Sequence, residues 1–310
     1  MAYADSEFGP YYRYVHGPDL IGLYVISNGS MGIVTKVAFG CLHRPPHWDS
    51  RAYYWPEEEI QAMTDVMTEV TQKGIFHVQL NDKWKYVSAD DLNNPTSALP
   101  DDAYFILSFF LNGETEDHLN AEIKMVDEIC ERQGGKRIKG ITETFYDEWP
   151  TYFTMATNPL MVHTVDVAYK LGKSQYWYIY DSINYPITKF PEVYAKLKEF
   201  GQKYGIWGFP KMSILDAFVM RGQAICSQEW AFANSRDPKD VEAIFNVRDD
   251  FRKWFGAQGG THEQHFPPIT PPYAWENQMS AHDLAEKIKK ALDPNAILSP
   301  GTFTSGKRVK

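Results

Sequence analysis

Apolar residues recur every three or four positions in five stretches of the chain, with short apolar runs between them, and this alternation predicts the elements. Ile60, Met63, Met67 and Val70 lie at helical spacing behind Pro56 and Glu57 to Glu59. Proline suits the first turn of a helix, acids favour the positive end of its dipole, and Gly74 ends the segment. This methionine stripe reads as core. Leu119, Ile123, Val126 and Cys130 mark a second helix that begins at Thr115, with Gly134-Gly135 beyond its end. Val193, Leu197 and Phe200 mark a third within 191–204, stopped by Gly205. Asp237-Pro238 caps a fourth that carries Val241, Ile244, Phe251 and Phe255. Ser280 and Asp283 resemble a capping box before Leu284, Ile288 and Leu292, the apolar stripe of a last helix. Strands are predicted at 76–80, 85–87, 104–110, 176–180, 213–220 and 224–233, with a polar loop over 88–101. Alternating strands and helices, with strands adjacent in pairs, are the grammar of an α+β sandwich with helices on one face of an antiparallel sheet. No internal repeat is visible in the sequence.

A different pattern stands near the start. Gly29 and Gly32, three residues apart, lie between the apolar run Leu23 to Ile26 and the β-branched run Ile33, Val34 and Val37. Glycine permits a positive φ and lacks a Cβ, so another flat object can approach the main chain there. By spacing alone the stretch is a β-hairpin with an Asn-Gly turn.

At 310 residues the chain can bury a large core and form two lobes. Its net charge of −9 makes nucleic acid and anionic membranes poor partners. No run is long and apolar enough for a membrane helix, and the first residues lack signal-peptide character. Cys41, Cys130 and Cys226 are scattered, which argues against a disulfide framework, zinc or an iron–sulfur cluster and fits a cytoplasmic location.

The stretch from Gly17 through Pro18, Asp19, Leu20, Gly22, Leu23, Ser27, Gly29, Ser30, Gly32, Ile33 and Val34 to Thr35 resembles the phrase G-P-D-L-x-G-L-F-x-x-S-x-G-x-x-G-I-V-T. That phrase belongs to FAD-linked oxidases of the vanillyl-alcohol oxidase and p-cresol methylhydroxylase superfamily. Tyr24 replaces its phenylalanine. Near the end, Leu292-Asp293-Pro294-Asn295-Ala296-Ile297-Leu298-Ser299-Pro300-Gly301 resembles the family's L-D-P-N-G-I-L-S-P-G, with Ala296 in place of glycine. The resemblance is strongest over 15–45 and 281–301. It implies an α+β chain made of the latter half of an FAD-binding domain of the p-cresol methylhydroxylase type plus a ferredoxin-like α+β cap. Residues 1–45 would close the flavin domain, 46–258 would form the cap, and 259–310 would return to pack on the flavin domain. FAD is the implied cofactor. Pro18, Asp19, Leu20, Ser27, Gly29, Ser30, Gly32, Ile33, Thr35 and Asn295 are the positions that would line it.

The glycine-rich diphosphate cradle that begins the family's flavin domain does not precede Gly17. Gly134-Gly135 and Gly259-Gly260 follow helices and read as helix terminators. The expectation is therefore one half of a split oxidoreductase, completed by a second polypeptide that supplies the diphosphate-binding lobe. The resemblance also implies hydride transfer from an alcohol, hydroxy acid or alkylphenol-type substrate to the flavin, with electrons passing on to a protein acceptor. A general base would suit this chemistry. His265, with His262 and Glu263 beside it, stands where the family places substrate against the ring, although neither branch's full motif is present. Read without the family, these are surface histidines. No metal is expected, since His262 and His265 alone make a poor ligand set. Tyr146, Trp149, Tyr152, Phe153, Met155 and Met161 form either an aromatic-accepting pocket or plain core or interface. Two other readings stay open: a non-redox FAD enzyme like the family's ether-lipid synthase, and a non-catalytic scaffold subunit.

Overall fold

The structure, a computed structural model, describes residues 23–24, 27, 29–37, 43, 45–75, 78–86, 99–138, 175–208, 211, 214–220, 223–234, 236–262 and 279–300. The chain divides into two compact units, one of residues 45–255 and one that joins 1–44 to 256–310.

The larger unit is built on an antiparallel sheet. Its strands are β1 (His47–Trp55), β2 (Val78–Asp82), β3 (Phe105–Gly113), β4 (Lys136–Arg137), β5 (Gln175–Pro186), β6 (Ile214–Met220) and β7 (Ala224–Ala233). They lie in the order β4-β1-β3-β2-β6-β7-β5. Four helices accompany them: α1 (Ile60–Gln72), α2 (Glu116–Arg132), α3 (Phe190–Lys203) and α4 (Pro238–Ala257).

This order contains a duplication. The run β1-α1-β2-β3-α2 places its strands as β1-β3-β2, and β5-α3-β6-β7-α4 places its strands as β5-β7-β6. The halves meet edge to edge through antiparallel pairing of β2 with β6, where Leu80 faces Ala217. Even the entry into the first helix recurs. Pro56 follows β1 and leads a 3-10 turn (Glu57–Glu59) into α1; Pro186 ends β5 and leads a 3-10 turn (Ile187–Lys189) into α3. Side-chain identity has diverged between the halves, so the repeat shows in topology and not in the sequence.

Strand alternation sends Tyr53, Trp55, Leu80, Phe105, Leu107, Phe109, Ala217, Ile225 and Ile183 to one core with Met63, Met67, Val126, Leu197, Val247 and Phe251 from the helices. The methionines are wholly buried there. Tyr194 is a buried aromatic with a polar tip. Its hydroxyl donates to Glu57 Oε1 (2.9 Å) and shares a hydrogen bond with Tyr104 Oη (2.7 Å), and burial pushes the phenol up.

Glycines end the helices as expected. Gly74, Gly134 and Gly205 take φ values of +92°, +77° and +67° just past α1, α2 and α3. Three expectations need correction. Residues 83–86 form a 3-10 turn, not a strand, with the Trp84 N–H donating to Asp82 Oδ1 at 3.1 Å. β1 was not anticipated, because Asp49 and Arg51 break its apolar pattern. The last helix, α5 (Met279–Leu292), begins before Ser280, which therefore lies inside it and does not cap it. The aromatic group at 146–161 lies outside the described residues.

Candidate functional site

In the smaller unit the glycine stretch is a pair of successive turns and not a ladder. The Ser27 N–H donates to Tyr24 O (3.3 Å) and the Ser30 N–H to Ser27 O (2.9 Å). Gly29 takes φ +72°, and a Cβ there would meet Ser299 Oγ at 3.4 Å; one on Gly32 would meet the Tyr24 ring at 3.3 Å. Residues 31–37 carry no strand assignment, which corrects the hairpin expectation. Burial then inverts along the loop. Ser27, Ser30 and Met31 are buried, whereas Ile33 is 81% exposed and Val34, Thr35 and Val37 are also exposed.

Ser30 holds the clearest chemical signal. Its hydroxyl is buried and has no hydrogen-bond partner among the described residues. Buried polar groups are normally paired, and an orphan costs about 1–3 kcal/mol. A bound group with a hydrogen-bonding edge would supply the partner, while the Cβ positions of Gly29 and Gly32 are filled by Ser299 and Tyr24 of the chain itself. The loop therefore fits a flat cofactor such as FAD.

After α5 the chain turns back along 293–300. Asp293 and Lys289 are both buried, with side chains 6% and 2% exposed. Lys289 Nζ reaches Asp293 Oδ2 and Leu298 O, each at 2.5 Å. The N–H groups of Ile297 (3.0 Å) and Leu298 (2.8 Å) donate to the two carboxylate oxygens. The bond from Lys289, with those two N–H groups, holds the Asp293 carboxyl down to about 2. Asn295 is exposed at the tip of this turn. Ala296, which replaces the family's glycine, takes φ +51°, a left-handed conformation, and Ser299 takes φ +39°.

Sequence reasoning missed Lys289, because a lysine in a helix reads as surface. The i,i+4 spacing from Lys289 to Asp293 was the available signal. It also missed a polar stripe on the sheet face turned away from the helices. Gln79, Asn81 and Ser108 are at most 5% exposed there, and Asn81 Oδ1 has no hydrogen-bond partner among the described residues. Gln79 pairs in register with Ser108, and Asn81 with Asp216 of the second half.

Of the expected catalytic group, His262 has its backbone placed in a short strand, β8 (Thr261–His262). Its side chain, and Glu263 and His265, lie outside the described residues, as do Pro18, Asp19 and Leu20. Among the described residues no three His, Cys, Asp or Glu side chains gather as a metal site. No described helix is long and apolar enough to cross a membrane.

Residues 49–303 match the family described as FAD linked oxidases, C-terminal domain. Among solved structures, 4-ethylphenol oxidase from Gulosibacter chungangensis superposes with a TM-score of 0.76 at 15% identity over 99% of this chain. Substrate-bound p-cresol methylhydroxylase does so with a TM-score of 0.73 at 17% identity over 97% of this chain. An alkyldihydroxyacetonephosphate synthase gives a TM-score of 0.51 at 12% identity over 88% of this chain and 47% of its own. These likenesses establish a shared fold. The chain spans 62% and 60% of the lengths of the first two structures. Comparison with curated proteins found no match.

Proposed function

The chain belongs to the FAD-linked oxidase family as its C-terminal domain, and on that premise we propose that it is a subunit of an FAD-dependent dehydrogenase completed by a second polypeptide. Its cofactor is FAD, which when bound supplies the two-electron acceptor for a hydride leaving a substrate carbon. The partner would carry the lobe that holds the FAD diphosphate, matching the part of the two similar structures that this chain does not span.

The observation that carries this reading is the loop at Ser30. A buried hydroxyl without a partner among the described residues is an unfavourable arrangement that a ligand would complete. Ser30 would donate to the flavin, and the main chain from Gly32 to Thr35 would lie along it. Pro18, Asp19, Leu20, Ser27 and Asn295 would contribute the surrounding wall. His265 would take the proton from the substrate hydroxyl, with His262 and Glu263 beside it.

Of the three expected substrate classes, alcohols, hydroxy acids and alkylphenols, we propose a para-alkylphenol, with electrons leaving to a protein acceptor. The names of the two similar structures support the narrower choice. Anaerobic mixing of the flavin-loaded complex with 4-alkylphenols, 2-hydroxy acids and primary alcohols tests it. Bleaching of the flavin by the phenols alone is expected, slowed about 10²–10⁴-fold in His265→Gln. Bleaching by none of the three classes would reject the redox reading. Bleaching by hydroxy acids alone would reject the substrate.

A further inference from the structure

We infer that Lys289 and Asp293 form a positioning clasp that fixes the glycine loop through the turn at 293–299. Burying a lysine and an aspartate is unfavourable unless both are fully partnered, and two apolar residues could pack the end of α5 equally well. An apolar pair could not, however, hold two N–H groups and one carbonyl of a returning chain. The ion pair holds all three: the N–H groups of Ile297 and Leu298 and the carbonyl of Leu298. It therefore dictates the path of the turn, including the left-handed conformations of Ala296 and Ser299. The turn in its path places Ser299 Oγ 3.4 Å from where a Cβ on Gly29 would stand, so that it fills the side-chain space of that glycine. Gly29 lies between Ser27 and Ser30, whose N–H groups close the two turns of the loop. Lys289 and Asp293 touch no reacting group and act through Ser299. Their effect on flavin rests on the function proposed above, while their effect on the loop does not.

Amide hydrogen exchange at Ile297, Leu298, Ser27 and Ser30 tests this in the flavin-free full chain, with flavin affinity measured in the completed complex. Lys289→Met is expected to speed exchange at all four amides about tenfold or more and to weaken flavin binding by a similar factor. Lys289→Arg, which keeps the charge and the donors, is expected to restore most of both. Ser299→Ala leaves the clasp intact and serves if Lys289→Met fails to fold. It is expected to speed exchange at Ser27 and Ser30 and leave Ile297 and Leu298 protected. Rapid exchange at Ile297 and Leu298 with Ser27 and Ser30 unchanged would overturn the clasp's reach to the loop, as would an unchanged loop in Ser299→Ala. Faster loop exchange in a chain whose complex binds no flavin would support the clasp and reject the flavin reading.

Discussion

Ala296 departs from the family phrase at a point where backbone conformation makes the departure costly. At φ +51° an L-residue crowds its own carbonyl, so Ala296→Gly is expected to stabilise the protein by about 1 kcal/mol, read by thermal unfolding. Ser30→Ala separates stability from binding at one site. Removing a hydroxyl that lacks a partner among the described residues is expected to stabilise the flavin-free chain by about 1–3 kcal/mol, while the loss of a flavin hydrogen bond weakens cofactor affinity about three- to tenfold. Asp293 sets an acid limit. Its folded carboxyl is held at about 2, against about 3.9 for an unfolded aspartate, so its stabilisation is complete above about pH 4 and is lost as the pH falls towards 2. Amide protection at Ile297 and Leu298 should fall across that window in the native chain and show no such titration in Asp293→Asn. Phrase positions such as Gly29 and Asp293 were legible in the sequence because their spacing is specific. Lys289 and Asn81 were not, because burial of a polar residue has no periodic signature.

The elements follow from patterning with few exceptions, and each exception has a local cause. α2 begins where the sequence places it, since Thr115 Oγ1 accepts the His118 N–H at 3.1 Å. Thr115→Ala is expected to cost about 1 kcal/mol, measured by chemical denaturation. Gly135 follows the end of the helix, and a Cβ there would stand 2.4 Å from Trp55 Cζ2 and 2.9 Å from Cys130 O. Gly135→Ala is therefore expected to cost about 1–3 kcal/mol in the same assay. β1 hid behind its charged residues, Asp49 and Arg51, which satisfy each other at 2.5 Å. α5 shows the limit of the helical-stripe rule. Its spacing predicts a helix correctly, yet Leu284 and Leu292 are 60% and 51% exposed while Lys289 is buried. Periodicity identifies the helix without stating which face meets protein.

Across the whole molecule, the duplicated sheet of the larger unit contrasts with the smaller unit. Every large apolar side chain that is prominently exposed among the described residues belongs to the smaller unit: Ile33, Val34, Val37, Leu284, Leu292 and Ile297. Single exposed apolar residues are ordinary, and in the proposed complex these six are the ones a second polypeptide would have to cover. The sequence carried this unit's identity in two phrases, and it carried the α+β plan of the other unit in its element order. It did not carry the duplication, because paired topology survives without matching side chains. The proposal that a partner lobe completes this chain's flavin site is the one to test first. The most direct measurement is the absorbance spectrum of the chain purified alone and after co-expression with the products of neighbouring genes. Flavin bands near about 370 and 450 nm only in the co-purified complex are the expected result. Stoichiometric flavin in the chain alone would contradict the claim of a partner lobe, and flavin in neither preparation would contradict the flavin site itself.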